Sequence, residues 1–244
     1  MGPVIIGADI GQKHDPTAIA VAEIEWRPID GRRVDHYIIR HLERLPLGTA
    51  YPAVADRLTA VVVNVRAAAR AAAGATGGTT GPSTGVFALG FYVDATGVGQ
   101  PVVDLLAHVG TPVMPVYFTH GDRRLEQDGP PRYISLGKAW LVSRLQALLQ
   151  TGRILLPKTS EAAALAKELM DYEIKVDQDA NDKYGAFKVG THDDLVTALG
   201  LAVQSDPPRT IGPAIGPPRP EMMQDARPIE TRGLPPAPYG FDGF

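Results

Sequence analysis

The apolar positions of this chain recur with two periods, and the switches between them outline the elements. "VIIGAD" (4–9) is a short apolar run closing on Asp9, which predicts a buried strand whose last residue emerges at an edge. "GQKHDP" reads as a turn and "TAIAVAEIEW" as a second strand. The Asp-Gly of "IDGRR" predicts a hairpin that returns through "VDHYIIRHL" as a third strand. Residues 51–73 carry Ala, Val, Leu and Arg at helical spacing, and 74–85 form a Gly/Thr-rich exposed loop. "VFALGFYVD" predicts a fourth strand ending on Asp94. "ATGVGQPVVDLLAHVG" follows as a Gly-rich turn running into a helix that stops at Gly110. "TPVMPVYF" predicts a fifth strand, placed at the sheet edge by Pro112 and Pro115.

Residues 119–132 read as a polar loop or hairpin. "SLGKAWLVSRLQALLQTG" predicts an amphipathic helix with Leu141, Leu145 and Leu148 on one face and Gly152 as its stop. A short "RILLP", a helix over 159–170, a hairpin "YEIKVDQDANDKYGAFKV" and a helix in "THDDLVTALGLAV" (191–203) complete the pattern. Three meandering strands, a helix, then alternating strands and helices predict an α/β fold, a mixed sheet flanked by helices on both faces. A ribonuclease H-like architecture has this layout. It occupies residues 1–205; from 206 to 244 the composition shifts. Ten of the 22 prolines fall within 207–244, which predicts an extended or disordered Pro-rich C-terminal tail, a candidate tether.

Composition narrows the chemistry. A net charge of -3 gives no global basic signature, so contact with nucleic acid must come from a local patch. The absence of cysteine excludes disulfides, a thiolate nucleophile and Cys-ligated zinc. "MGPVIIGADIGQKHD" lacks the features of a signal peptide. "LTAVVVNVRAAARAAAGA" carries Asn64, Arg66 and Arg70 and does not read as a membrane span. The expectation is a cytoplasmic protein, neither secreted nor membrane-bound.

Asp193 and Asp194 stand side by side at the mouth of an apolar helix. Like charges about 4 Å apart cost about 1 kcal/mol in water and about 4 kcal/mol at a surface-like dielectric. Helix capping accounts for one of them; the second suggests a shared cation. Asp9 and Asp94 end two strands, and a lone Asp at such a place is most often a turn former. If these strands are neighbours and the last helix crosses their ends, all four acids meet. Such hard oxygen ligands suit Mg²⁺ or Mn²⁺, and two ions about 3.5–4 Å apart can drive phosphodiester hydrolysis. Asp194 lies closer than Asp193 to the apolar face of Leu195, Ala198, Leu199 and Ala202. It is therefore expected as the direct ligand, with Asp193 as second ligand or cap. Asp15, in the turn after the first strand, reads as structural.

"GADIGQKHDPTAIAV", "FYVDATGVGQPVVDLL", "GKAWLVSRLQALLQTGRILLP" and "GTHDDLVTALGLA" resemble, in this order, segments of the nuclease domain of tailed-phage terminase large subunits. The resemblance runs through roughly residues 3–205, with "VDATGVG" and "HDDLVTAL" its most specific blocks. It implies a ribonuclease H-like endonuclease that cuts double-stranded DNA (concatemers) during genome packaging with two divalent ions. It implies metal-binding roles for Asp9, Asp94, Asp193 and Asp194, and a place for His192 in proton transfer or ligand orientation. No G-x-x-x-x-G-K-[ST] phosphate loop occurs. A separate packaging ATPase, a small terminase subunit and a portal are then the expected partners, in the cytoplasm of a host bacterium.

Among the basic residues Arg123, Arg124, Arg132, Lys138, Arg144 and Arg153, the candidates for DNA phosphates are Lys138, Arg123, Arg124 and Arg144, Lys138 foremost. Three other readings compete: a Holliday-junction-resolvase-like nuclease, an actin- or sugar-kinase-like ATPase, and a non-catalytic packaging or docking protein.

Overall fold

A continuous apolar run belongs in the middle of a sheet covered on both faces, and β1 (Val4–Asp9) takes that place. In the computed structural model, which describes residues 1–13, 15–75, 88–176, 182–185 and 192–205, β1 pairs antiparallel with β2 (Ala18–Ile29) and parallel with β4 (Leu89–Asp94). β2 turns at Asp30–Gly31, both with positive φ, into β3 (Arg32–Arg44). The eight-stranded sheet is completed by β5 (Met114–Thr119), β6 (Arg124–Gln127), β7 (Tyr133–Gly137) and β8 (Ile154–Leu155), in the order β6-β7-β5-β4-β1-β2-β3-β8. The mixed α/β sheet expected from the sequence is present. β9 (Glu173–Val176) and β10 (Asp182–Gly185) form the expected hairpin. The Pro-rich 206–244 and the Gly/Thr-rich segment from 76 to 87 lie outside the described residues.

Alternate residues of β1 feed two cores. Val4, Ile6 and Ala8 pack with Val54, Leu58 and Val61 of α1 (Tyr51–Ala75) and with Val102 and Leu106 of α2 (Gln100–His108). On the other face Ile5 joins Leu145 of α3 (Lys138–Gln150), Leu165 of α4 (Ser160–Asp171) and Leu195 of α5 (Asp194–Val203). All ten residues of α5 are buried, as an all-round apolar helix must be. Gly7, Ala18, Ala20 and Ala22 form the floor beneath it. A methyl group on Gly7 would overlap the Ala198 carbonyl and the Ala202 amide, so α5 rides close on β1.

Two expectations are corrected. β5 is an interior strand, paired with β4 and β7, despite Pro115. The Val116 carbonyl accepts from Ala95 on the β4 side at 2.8 Å. Pro115, alternating, turns its donor-less nitrogen towards β7, where pairing begins only at Val116. Residues Tyr133–Gly137, of which the sequence reading assigned Ser135–Gly137 to a helix and left Tyr133 and Ile134 unassigned, are strand β7. Ile134 and Leu136 are buried at period two, and the helix starts only at Lys138. Among the described residues no helix is long and apolar enough to cross a membrane.

Candidate metal centre

The parallel register of β1 and β4 ends at Ala8↔Val93, so the next residues, Asp9 and Asp94, emerge side by side at one end of the sheet. Strands in register lie about 4.8 Å apart. Each acid opens a tight turn. Thr96 donates its amide to Asp94 Oδ1 at 2.8 Å. Gly97 takes φ +62°, and Gly99 lies so close to the Asp94 carbonyl that a Cβ there would overlap it. After Asp9, the Thr17 hydroxyl accepts from the Gly11 amide and donates to its carbonyl, both at 3.1 Å, closing the loop 11–17. The glycines of "VDATGVG" thus fold the chain sharply behind Asp94 into α2.

α5 starts at the same end of the sheet. Asp194 is 2% exposed and receives the Arg44 Nε on its Oδ2 at 2.6 Å, while Asp193 is half-buried. The difference in burial follows the helical-face argument. The capping role open to Asp193 is corrected: its side chain makes no capping bond to the helix. Glu168 of α4 caps instead, its Oε2 accepting the Leu195 and Val196 amides at 3.0 and 3.2 Å. His192 Nδ1 lies 3.6 Å from Asp15 Oδ1 and 3.9 Å from Asp194 Oδ1.

A cleft of about 310 Å³ opens here, bordered by Asp9, Gln12, Lys13, Asp15, Asp193 and Asp194. Asp15, read as a structural turn residue, is thus part of its wall. Burial raises the Asp9 pKa well above the usual range, and the charges of Asp94, Asp193 and Asp194 push the same way against Lys138. Burial also raises Asp94, opposed by the Thr96 hydrogen bonds and by Lys138. Asp194 is raised by burial against the pull of Arg44. These carboxyls resist being ionised together, the condition that a divalent cation relieves.

The residues fit such a cation in donor type. All are hard oxygens, and Asp194 Oδ1 is buried without a hydrogen-bond partner, as is His192 Nδ1. Among the described residues, no group of three or more His, Asp or Glu side chains is gathered tightly enough to hold a metal ion as it stands. Holding one requires the carboxylates to draw inward from these positions.

The basic candidates separate. Lys138, the first residue of α3, is close enough to Asp9 and Asp94 to favour their charged forms, with Nζ 5.5 Å from the Phe118 ring centroid. Arg123 is exposed. Arg124 donates to Gln204 at 2.6 Å and pairs with Glu126 at 3.3 Å. Arg144 turns inward, to the Val203 carbonyl and to Tyr37 Oη at 2.8 Å, and lies over the rings of Tyr37 and Trp140. That placement commits the guanidinium to the protein's own groups. Arg44 and Glu168 escaped the sequence reading. Glu168 carried a signal, an acid in the buried stripe Ala162–Leu165–Glu168 of α4; Arg44, a charge at a strand end, carried none.

The arrangement belongs to a class of α/β proteins: its fold is that of the nuclease domain of phage large terminases. It is similar to the crystal structure of the large terminase nuclease from thermophilic phage G20c with bound magnesium. The TM-score is 0.54 at 20% identity, covering 83% of this chain and 81% of that chain. The form of the same nuclease with bound cobalt gives 0.52 at 22% identity, covering 83% and 81%. A further crystal structure of the same nuclease gives 0.52 at 20% identity, covering 83% and 82%. No family model matches the chain, and no curated protein matches it in sequence.

Proposed function

We propose that this chain is a metal-dependent endonuclease that cuts double-stranded phage DNA during genome packaging. The observation that carries the reading is the meeting of Asp9 and Asp94, on adjacent parallel strands, with the Asp193–Asp194 start of α5 at one end of the sheet. Its support is the likeness in fold to a phage terminase nuclease crystallised with magnesium and with cobalt.

In this reading Asp9, Asp94, Asp193 and Asp194 hold two Mg²⁺ or Mn²⁺ ions. Bound there, the ions supply an activated water and charge stabilisation for the leaving oxygen. The chain's own groups do the rest. Lys138, beside Asp9 and Asp94, offers an ammonium to a phosphate oxygen, and Arg123 tracks the backbone further out. His192, against Asp15 and Asp194, holds or passes a proton at Nδ1. ATP-driven movement of DNA falls to a packaging ATPase, with the small terminase subunit and portal as further partners in the host cytoplasm.

The test is incubation of supercoiled plasmid with the protein and Mg²⁺ or Mn²⁺. Nicked and linear products are expected, abolished by chelator and by Asp94→Asn. Intact plasmid with every metal would sink the nuclease reading, and strong preference for four-way junctions would replace it with a resolvase.

A further inference from the structure

Glu168 stands outside the proposed ligand set, yet it is 6% exposed and engages charges and amides from two other elements. Its Oε1 takes Nη2 of Arg44, and its Oε2 takes the Leu195 and Val196 amides at 3.0 and 3.2 Å. Arg44 gives its Nε to Asp194 Oδ2 at 2.6 Å. One guanidinium therefore joins two carboxylates, and the second carboxylate grips the helix that carries the first. Asp194 Oδ1 remains buried with no hydrogen-bond partner, on a residue that borders the acidic cleft.

Sheet register explains the reach. Asp9 pairs with Ala18, and Ala18 pairs with Arg44, so Asp9 and Arg44 share one row and one face, two strands apart. From there the rigid fork of an arginine can address two acids at once, which the point charge of a lysine cannot.

We propose that Arg44 and Glu168 are positioning residues that present Asp194 Oδ1 to a divalent cation: Arg44 anchors Oδ2, and Glu168 neutralises Arg44 while pinning the start of α5. This rests on the metal-dependent reading above. Arg44 alone beside Asp194 would cancel its charge and repel a cation. With Glu168 the trio keeps one net negative charge, and the orientation of Asp194 is fixed from two sides. A buried ion trio is poor evidence of stabilisation in itself, because apolar replacements often hold a fold as well. Its contact with a residue of the cleft gives it another use.

The experiment is calorimetric titration of the full chain with Mn²⁺ at neutral pH, with thermal melts of each variant. Glu168→Gln keeps an oxygen for the two amides and removes the charge. Its Mn²⁺ dissociation constant is expected to rise about tenfold or more. Arg44→Lys keeps the charge and loses the fork, and is expected to bind several-fold more weakly; it serves as the check should Glu168→Gln not fold. The double variant Arg44→Gln/Glu168→Gln restores the single net negative charge and should regain much of the affinity lost in Glu168→Gln, a recovery that a merely structural role would not produce. Wild-type affinity in either single variant overturns the proposal. A double variant no tighter than Glu168→Gln overturns the charge-balancing role. A wild-type protein that binds no Mn²⁺ overturns the metal reading itself, and the two failures are thereby distinguished.

Discussion

Gly7 of β1 lies under the Ala198 carbonyl of α5 with no room for a methyl group between the two backbones. The contact sets the height of α5 above the sheet, and with it the position of Asp193 and Asp194. Gly7→Ala must push the helix outward, and overpacking of this kind costs about 1–3 kcal/mol. A urea titration should show that loss, and Mn²⁺ affinity should fall with it. A variant as stable as wild type would refute the packing argument.

The raised carboxyls set a pH dependence. Asp9, Asp94 and Asp194 are pushed up first by burial, Asp9 also by its acidic neighbours. Above about pH 4 an unfolded aspartate has released its proton while the folded, raised group still holds one. The unfolded chain then binds fewer protons, so this contribution to stability falls as pH rises from about 4 through the raised values. Glu43 and Glu126 work in the opposite sense. Against the push of burial, Arg57 and His41 hold Glu43 low, and Arg132 and Arg124 hold Glu126 low. Asp9→Asn separates the two effects. In chelator at about pH 7.5 it should melt above wild type, by about 2–4 °C for each kcal/mol relieved, and the gap should close near pH 4. Saturating Mg²⁺ should reverse the order at the higher pH. A gap constant with pH would argue against repulsion as its source.

Lys138 and Arg144 share a helix and differ in surroundings, and their alanine variants should differ likewise. Lys138→Ala is expected to weaken DNA binding and to flatten its dependence on log salt by about 0.9, the loss of one phosphate contact. Arg144→Ala should leave that slope unchanged. It should instead lower stability by about 1–3 kcal/mol, because buried partners lose their charged donor. Fluorescence anisotropy across a salt series reads the first effect and denaturant titration the second.

The local rules were readable where one period dominated. β1, β4, α3 and α5 follow from apolar runs and leucine spacing, and Asp9 and Asp94 could be placed at strand ends because each closes such a run. β7 was missed because the strand runs without a break into α3, so Ser135–Gly137 read as the start of that helix. The edge assignment of β5 failed because proline excludes one hydrogen bond, not two, and the side it excludes depends on where the neighbour starts. Arg44 was invisible for a different reason. Its partners Glu168 and Asp194 lie far along the chain, and only the row Asp9–Ala18–Arg44 brings them together. For Asp193, the capping rule was sound in kind, but an acid from another helix does that work.

Every residue of α5 is inside the molecule, wedged between β1 and β2 beneath and α3 and α4 beside it. Synthesis delivers this wedge after all those neighbours, so a nascent chain still on the ribosome carries an open slot and only half of its acids. In the nuclease reading, the four acids therefore come together only once α5 has docked into that slot.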